Sequence, residues 1–153
     1  MSRASFGVSS EASKSIVVLA SGTTALQPEV HANRLLIVDT SNALYTLNLP
    51  RAYGTGDVYE ILSTQARTSN LVINAVAAAP SNYFVGTIFQ HGSGNVMTKF
   101  ASTANDIITL NQTTTGGVAA GDYLKLIDAA PAVWRVVFGL FTTSGAQATP
   151  FSG

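Results

Sequence analysis

Short runs of apolar and β-branched residues recur along this chain, and each run is closed by residues that favour turns. Residues 43–49, for example, alternate between two faces before Pro50 ends them. The runs follow one another at intervals of about 10 to 12 residues, which is typical of all-β domains. No window carries apolar residues at positions i, i+3, i+4 and i+7 over three helical turns. The pattern therefore predicts an all-β protein.

The expected architecture is a single-domain antiparallel β-sandwich or barrel of about ten short strands. An extended arm, residues 1–14, precedes the β domain at 15–142, and a tail of small residues, 143–153, follows it. The best helical candidate is the short stretch 75–79, which Pro80 ends. The strands are expected at residues 15–20, 34–39, 43–49, 58–62, 70–76, 83–90, 95–101, 107–110, 123–127 and 133–141.

The arm is rich in serine and nearly free of large apolar side chains, with Phe6 and Val8 as exceptions. Two interpretations stay open. A segment with so few apolar groups gains little from ordering and is typical of a disordered tail. Alternatively, the arm lies on a neighbouring subunit, with Phe6 as its anchor.

Charge is scarce in this chain of 153 residues: 10% of the residues are charged, and eight basic residues balance eight acidic ones. A typical soluble domain has roughly 25% charged residues. The balance indicates neither a nucleic-acid partner nor an anionic membrane. The longest apolar runs are too short to span a bilayer, and the N-terminal residues lack the apolar centre of a secretory signal. We therefore expect a soluble protein made in the cytoplasm, with a surface suited to an assembly.

The residues of acid–base and metal chemistry are few and scattered. The chain has no cysteine and two histidines, His31 and His91, whose separation does not match a zinc motif. Ser93 follows His91 closely, but no third residue is placed to orient the pair. Asp57 and Glu60 are three apart in a predicted strand and so are expected to face opposite sides. These observations predict a protein that is not an enzyme and needs no metal or cofactor.

Glycine clusters and aromatic residues have structural interpretations. Residues 54–56 and 113–117 precede no helix and contain no lysine, so they are interpreted as hairpin turns and not as phosphate-binding loops. Trp134, Val136 and Phe138 are predicted to share one face of the last long strand, with Trp134 packed in the core or at the end of the sheet.

Several segments, taken in their order along the chain, resemble the head decoration or cement proteins that tailed bacteriophages encode beside the major capsid protein. The resemblance covers roughly residues 25–153, and the arm lies outside it. The segments are HANR at 31–34, LNLPRAYGTGDVY at 47–59, DIITLN at 106–111, TTTGG at 113–117, GD at 121–122, WRV at 134–136 and ATPFS at 148–152.

The resemblance implies a β-rich structural protein that binds the outer surface of the capsid, commonly as a homotrimer at threefold points. Its partners would be the major capsid protein and further copies of itself, and the family has no catalytic residues to carry over. Binding that contacts several subunits gains avidity and stabilises the assembled shell. Apart from the resemblance, the expected capsid or subunit contacts in the arm are Arg3 and Phe6, because Arg and aromatic residues dominate interfaces. In the tail they are Pro150 and Phe151, because a lone Phe among small residues needs a packing partner. Unanchored termini are the alternative for both segments.

A second hypothesis is a tail or fibre module that binds a host-surface glycan. Modules of this kind bind sugars through exposed aromatic clusters with acids and amides nearby. The aromatic candidates are Tyr53, Tyr83 and Phe84.

Overall fold

The computed structural model describes residues 15–39, 41–75 and 81–153. Within these ranges the chain forms twelve strands in two sheets and one helical turn, which confirms the all-β prediction. The arm, residues 1–14, lies outside the described residues, and so does all but the first residue of the helical candidate at 75–79. Within the described residues, a helical turn forms at Pro28–His31, where a proline at the first turn favours helix initiation.

The two sheets contain seven and five strands. The larger sheet has the order β1-β3-β5-β10-β11-β7-β8, and the smaller has the order β12-β9-β6-β4-β2. In chain order, the elements are β1 Ile16–Val18, β2 Gly22–Ala25, α1 Pro28–His31, β3 Arg34–Val38, β4 Tyr45–Asn48, β5 Val58–Ser63, β6 Leu71–Asn74, β7 Tyr83–His91, β8 Met97–Ser102, β9 Ile107–Leu110, β10 Tyr123–Ala130, β11 Val133–Thr142 and β12 Phe151–Ser152.

Both sheets are mixed, so the prediction of a wholly antiparallel fold is wrong. Strands β1 to β6 alternate between the two sheets, and each of β3 to β6 pairs with the strand two before it in the chain. The pairs β1–β3, β3–β5, β2–β4 and β4–β6 are all parallel, because the chain returns to each sheet in the same direction. β7 and β11 are also parallel. The prediction assumed that consecutive strands fold back as hairpins, and among the described strands only β7–β8 and β10–β11 do so.

The two glycine clusters that were predicted to be hairpin turns are not hairpins, because each lies in a connection between strands of different sheets. Residues 54–56 lie between β4 and β5, and residues 113–117 lie between β9 and β10. In the second connection, the Asn111 side-chain oxygen accepts hydrogen bonds from three successive backbone N–H groups, those of residues 113 to 115, at 3.1, 2.9 and 2.9 Å. The Asn111 side chain thus satisfies backbone N–H groups that have no neighbouring strand to bond to in this connection.

Ten of the twelve strands fall within or overlap the predicted windows, and the other two were missed. β2 has the sequence GTTA and β12 the sequence FS. Neither has the alternating apolar residues that identify a strand in a sequence, and each is held by pairing with a distant segment: β2 with β4 and β12 with β9.

A single buried cluster contains side chains from both sheets. From the five-stranded sheet, Tyr45 and Leu47 point inward, while Leu44 is 52% exposed, which confirms the predicted alternation. From the seven-stranded sheet, Trp134 is buried as predicted, and its ring lies edge-on to Tyr59 at 5.4 Å between centroids. Its indole N–H donates to the Pro50 carbonyl at 3.3 Å, so the polar end of this side chain is satisfied.

Residues 143–153 are bonded to the rest of the β-structure. The Gln147 side chain donates to the Gln90 carbonyl at 2.6 Å, and the Gln90 side chain donates to the Ala148 carbonyl at 2.9 Å. Further on, Phe151 pairs with Ile108. The segment thereby adds the edge strand β12 to the five-stranded sheet.

Candidate interaction face of the seven-stranded sheet

One face of the seven-stranded sheet contributes to the core, and we call the opposite face the interaction face. Residues directly opposite one another in neighbouring strands point to the same face of a sheet. The pairing register therefore aligns six apolar or aromatic side chains across six neighbouring strands, and we call them the apolar row. From β1 to β7 they are Val18, Ile37, Leu62, Tyr123, Leu140 and Phe89. Lys99 of β8 lies opposite the last of them and ends the row.

The apolar row lies outside the hydrophobic core. None of its six residues belongs to the buried cluster that the two sheets share. Val18 is 58% exposed and Leu140 is 37% exposed. Ile37, between Val18 and Leu62, is only 7% exposed, although it is not part of that cluster. The row therefore contains both exposed and buried side chains.

A second row on the same face contains an ion pair with apolar residues around it. Lys125 Nζ lies 3.5 Å from Glu60 Oε1, and the Tyr123 hydroxyl donates to the same oxygen at 2.7 Å. Burial, together with this hydrogen bond and the Glu60 charge, raises the pKa of Tyr123, which keeps its hydroxyl protonated. Leu35 lies next to Glu60 in the row, and Phe138 lies next to Lys125. The two charges of this row thus neutralise one another.

A β-bulge places Phe138 on the interaction face, so the prediction that it shares a face with Trp134 and Val136 is wrong. Val136 pairs with Leu126, whereas Phe138 pairs with Lys125, so two residues of β11 advance for one residue of β10. The extra residue reverses the alternation of side chains beyond it. Phe138 is 43% exposed, and its ring lies 6.2 Å from that of Tyr123.

The outer face of the five-stranded sheet is different in character. Its central strands place Thr46, Asn48 and Asn74 outward, each half-buried. The Asn74 amide donates to the Asn48 side-chain oxygen at 2.8 Å, forming a polar ladder between β4 and β6. Apolar Val72 and Ile107 interrupt this polar surface. The contrast between the two outer faces identifies the interaction face as the surface suited to bury apolar area against another molecule.

The most buried carboxylates organise the fold. Asp128 accepts hydrogen bonds from the backbone N–H groups of Tyr53 and Gly54, at 3.0 and 2.6 Å, and from the Thr55 hydroxyl at 2.9 Å. Burial by itself would raise the pKa of Asp128, but these hydrogen bonds outweigh it and hold the pKa below its usual value. Burial instead dominates at Asp122 and raises the pKa of that carboxyl, although the Thr142 and Ala119 N–H groups donate to it. Each of these carboxylates stabilises a turn beside β10.

His31 makes a hydrogen bond within its own helical turn, and His91 lies at the end of a strand. The backbone N–H of Gln27 donates to His31 Nδ1 at 2.9 Å, so this side chain closes the helical turn that contains it. His91 is the last residue of β7.

In the described ranges, no three His, Asp or Glu side chains form a metal-binding group, and no pocket is found. None of the helical structure described is long and apolar enough to cross a membrane.

The four predicted contact residues fall into two groups. Arg3 and Phe6 lie outside the described residues. Pro150 and Phe151 are buried within the chain itself, and Phe151 belongs to the hydrophobic core with 5% exposure. The large side chain of the tail therefore has a packing site inside its own domain. Its contact with a capsid or another subunit stays a prediction.

The three aromatic candidates for glycan binding differ in exposure. Phe84 is completely buried and cannot present its ring to a sugar. Tyr83 is half-buried, whereas Tyr53 is 63% exposed, with the Arg51 guanidinium 5.3 Å from its ring centre. Tyr53 pairs with Pro131 and Tyr83 with Val133, so the two tyrosines flank the β10–β11 turn.

The sequence carries a signal of the interaction face in the apolar runs of its strands. Strands of the larger sheet carry apolar residues at both odd and even positions, as in RLLIV at Arg34–Val38 and VWRVVFGLFT at Val133–Thr142. In the smaller sheet, YTLN at Tyr45–Asn48 alternates apolar residues with Thr or Asn, while LVIN at Leu71–Asn74 and IITL at Ile107–Leu110 do so only in part. Continuous apolar runs are typical of strands that are covered on both faces. They therefore indicate which sheet has a second face to bury.

A scan against protein-family models finds no match to this chain, and searches of curated proteins and of solved structures find none either. The resemblance to phage head decoration proteins stays a prediction. Its support consists of the sequence segments given above and the physical character of the interaction face.

Proposed function

We propose that this chain is a structural virion protein that decorates the head of a tailed bacteriophage. In this proposal the two sheets form a β-sandwich, and homotrimers bind the outer capsid surface and stabilise the lattice. The interaction face docks on the major capsid protein. The observation that carries the proposal is the apolar row, which crosses six neighbouring strands outside the core.

The size of the interaction face suits a protein partner. Seven strands about 4.8 Å apart make it roughly 29 Å wide, and five residues per strand make it roughly 17 Å high. One partner in a stable complex contributes about 800 Å². The strand spacings give the face a projected area of roughly 500 Å². Side chains that project from the sheet add to its accessible area, so the face has about the size that one partner contributes. A flat apolar surface of this kind gains stability mainly by excluding water.

The Glu60–Lys125 ion pair in the middle of the face orients a docked partner more than it strengthens the binding of that partner. Docking would bury Glu60 and Lys125 further, and the cost of removing their hydration offsets much of their attraction. A partner that presents a polar group opposite the pair would be favoured over one that does not. Glu60 also accepts a hydrogen bond from the Tyr123 hydroxyl, so the Glu60 carboxylate is held in place before docking.

The proposal is tested by mixing the purified protein with expanded heads that lack it, prepared from the phage that encodes it. We expect saturable binding and greater resistance of the heads to heat. Leu140→Lys introduces a charge into the apolar row and should weaken binding at least tenfold. Thr109→Lys introduces the same side chain at a half-buried position on the outer face of the five-stranded sheet and should bind as the unmodified protein does.

Equal binding by both variants would overturn the assignment of the docking face. Absence of uptake by the unmodified protein would overturn the decoration role. Light scattering adds a separate test of the trimer, whose mass is expected at three times the 15.9 kDa of one chain, either in solution or after release from heads. A monomer in both preparations would contradict a trimer.

A tail or fibre module that binds a host-surface glycan is the second candidate. The observation in its favour is Tyr53, whose exposed ring lies near Arg51 beside the β10–β11 turn. Glycan binding by the isolated protein that Tyr53→Ala abolishes, together with recovery of the protein in tail fractions and not in DNA-filled heads, would support this candidate over decoration.

A further inference from the structure

Two rows of the interaction face are balanced about one line, the midline between β5 and β10. In the apolar row, three residues lie on each side of this midline. In the second row, Glu60 and Lys125 lie directly on either side of it. Leu35 lies beyond Glu60, and Phe138 lies beyond Lys125. The face therefore has opposite charges next to the midline and apolar residues at matching distances from it.

The apolar residues on both sides of the midline are accessible to another molecule. On β1, Ile16 is 65% exposed and Val18 is 58% exposed. On β11, across the midline, Phe138 is 43% exposed and Leu140 is 37% exposed. A contiguous apolar surface of several hundred Å² on a soluble protein generally marks a site of association. A partner that fits this face must therefore offer apolar contacts on both sides and matching charges at the midline.

A second copy of the chain meets both requirements when a two-fold axis relates it to the first. In such a contact both copies use the same surface, which must be complementary to itself. An axis that runs along the midline, parallel to the strands, places β5 of one copy over β10 of the other. Glu60 then faces Lys125 of the second copy, and Lys125 faces Glu60 of the second copy.

The same axis brings the apolar residues together, each smaller side chain against a larger one. Leu62 faces Tyr123 of the second copy, next to the axis. Farther out, Ile37 faces Leu140 of the second copy. At the sides of the contact, Val18 faces Phe89 of the second copy. Side chains of different length on facing sheets can interdigitate, as they do between the sheets of a sandwich.

The charges favour this axis over the other two-fold arrangement of facing sheets. An axis that crosses the strands along the second row places Glu60 over Glu60 and Lys125 over Lys125. Like charges that meet at an interface disfavour it. Around an axis along the midline the four charges alternate, so each carboxylate has an ammonium group of both copies beside it. The second copy thus supplies the polar group opposite the ion pair that a docked partner needs.

The dimensions of the face suit such a contact. A stable complex takes about 800 Å² from each partner, which is about the accessible area of this face. Packed sheets lie about 10 Å apart, and their strands cross at about 30° because each sheet is twisted. Glutamate and lysine side chains that project toward one another span this separation together. The residues nearest the axis, Glu60 and Lys125, are the ones that the crossing angle displaces least.

We propose that the free protein pairs through the interaction face with a second copy of itself, about a two-fold axis along the midline between β5 and β10. The pairing is independent of the capsid role, but it covers the surface that the proposed function assigns to the capsid. Paired copies must therefore separate before they dock on a head. If the unit that pairs is the proposed trimer, two trimers join through the same contacts, so the mass doubles in either case.

An exchange of charges tests the pairing. Glu60→Lys leaves two lysines at the midline, and Lys125→Glu leaves two glutamates. Either variant alone brings four like charges together and should stay unpaired at about 100 μM, where the unmodified protein should be paired, because interfaces of this size bind in the micromolar range or tighter. An equimolar mixture of the two variants restores opposite charges at each contact. Light scattering should give this mixture twice the mass of either variant alone.

Thr109→Lys is the control for the added charge, because it lies on the outer face of the five-stranded sheet and should pair as the unmodified protein does. Pairing of either charge variant alone would overturn the proposal. A mass of the unmodified protein that does not double between high dilution and about 100 μM would also overturn it.

A cross-link between two single-cysteine proteins gives a test that does not depend on the folding of Glu60→Lys. The natural chain has no cysteine. Leu35→Cys mixed with Phe138→Cys places one thiol on each copy at facing positions, within reach of a bismaleimide that spans about 10 Å. Leu35→Cys mixed with Thr109→Cys is the matched control. We expect at least tenfold more covalent heterodimer from the first mixture, and equal yields would contradict the pairing.

The result is separate from that of the head-binding experiment. Protein that does not pair but that heads still take up would overturn the pairing alone. Protein that pairs but that heads do not take up would overturn the decoration role alone.

Discussion

Phe138 lies directly opposite Lys125 in the pairing of β10 with β11, although Val136, two residues earlier, lies opposite Leu126. The extra residue, Val137, forms a β-bulge that turns Phe138 from the core side to the outer side of the sheet. Without the bulge, the last long strand would continue the alternation that buries Trp134. One inserted residue therefore adds an aromatic ring to the interaction face.

The outward orientation of Phe138 predicts that its removal has little effect on folding. Phe138→Ala should lower the free energy of unfolding by less than about 1 kcal/mol, because the side chain is already 43% exposed. Trp134→Ala, on the same strand, should cost about 3–5 kcal/mol, because the indole is buried at 1% exposure. Urea unfolding followed by circular dichroism measures both values. A loss of similar size in the two variants would show that Phe138 is a core residue.

Gly86 is expected to tolerate no side chain. Its φ is +137°, and a Cβ atom at this position would overlap the carbonyl oxygen of Val136 on the neighbouring strand β11. Gly86→Ala should therefore destabilise the protein by about 3 kcal/mol or more, since either β7 or β11 must shift. Gly56→Ala is the matched control, because Gly56 also has positive φ but has open space around it. That variant should cost only about 1 kcal/mol, the price of the backbone conformation alone, and equal melting temperatures for the two variants would contradict the steric argument.

Asp128 should make the free energy of unfolding depend on pH. Its pKa is lower in the folded protein than in the unfolded chain, because the folded carboxylate accepts hydrogen bonds from Tyr53, Gly54 and Thr55. The stabilisation is therefore fully present above the unfolded pKa of about 3.9 and is lost as the pH falls through the lower folded value. Asp128→Asn should be less stable than the natural protein at pH 6, and the difference should shrink toward pH 2. Unfolding curves at a series of pH values measure it, and a constant difference would show that the charge of Asp128 does not contribute.

Arg67 should be far more important to folding than an exposed arginine. Its side chain is 2% exposed, donates to the Ala43, Ser69 and Asn70 carbonyls at 2.8, 2.9 and 3.1 Å, and lies over the Tyr45 ring at 4.9 Å. Arg67→Met keeps much of the side-chain volume but removes these hydrogen bonds and should cost about 2–4 kcal/mol.

Arg135→Met, on the exposed side of β11, is the control for Arg67→Met and should change stability by less than about 0.5 kcal/mol. Denaturant midpoints compare the two variants. A neutral Arg67→Met would mean that water or other groups replace the lost donors without cost.

Local patterns predicted most strands well, and they failed where a strand carries no alternation of apolar and polar residues. The alternation of Tyr45 and Leu47 with Thr46 is visible in four residues, and the structure confirms it. The sequence GTTA carries no such pattern, because β2 is held by backbone pairing with β4, a strand from which α1 and β3 separate it along the chain. The same limit explains Phe138, whose direction depends on a register shift between two strands and not on its own neighbours in the chain.

The candidate site was less accessible to sequence analysis than the fold. The predicted contacts were chosen near the termini, whereas the apolar row consists of residues drawn from six strands between Val18 and Leu140. Phe151, chosen because a lone aromatic residue in a tail needs a partner, has that partner in its own core. A single residue type in a sequence does not distinguish a contact with another molecule from a contact with the same chain.

The sequence by itself determined the all-β class, windows that overlap ten of the twelve described strands, and the burial of Trp134, because alternation and turn residues act within a few positions of the chain. Only the tertiary structure decided that β1 to β6 alternate between two sheets and pair in parallel within each, that Val137 forms a bulge, and that one sheet has an apolar outer face. These features depend on which distant strands become neighbours, and that choice is made by the packing of the whole core and not by any local segment.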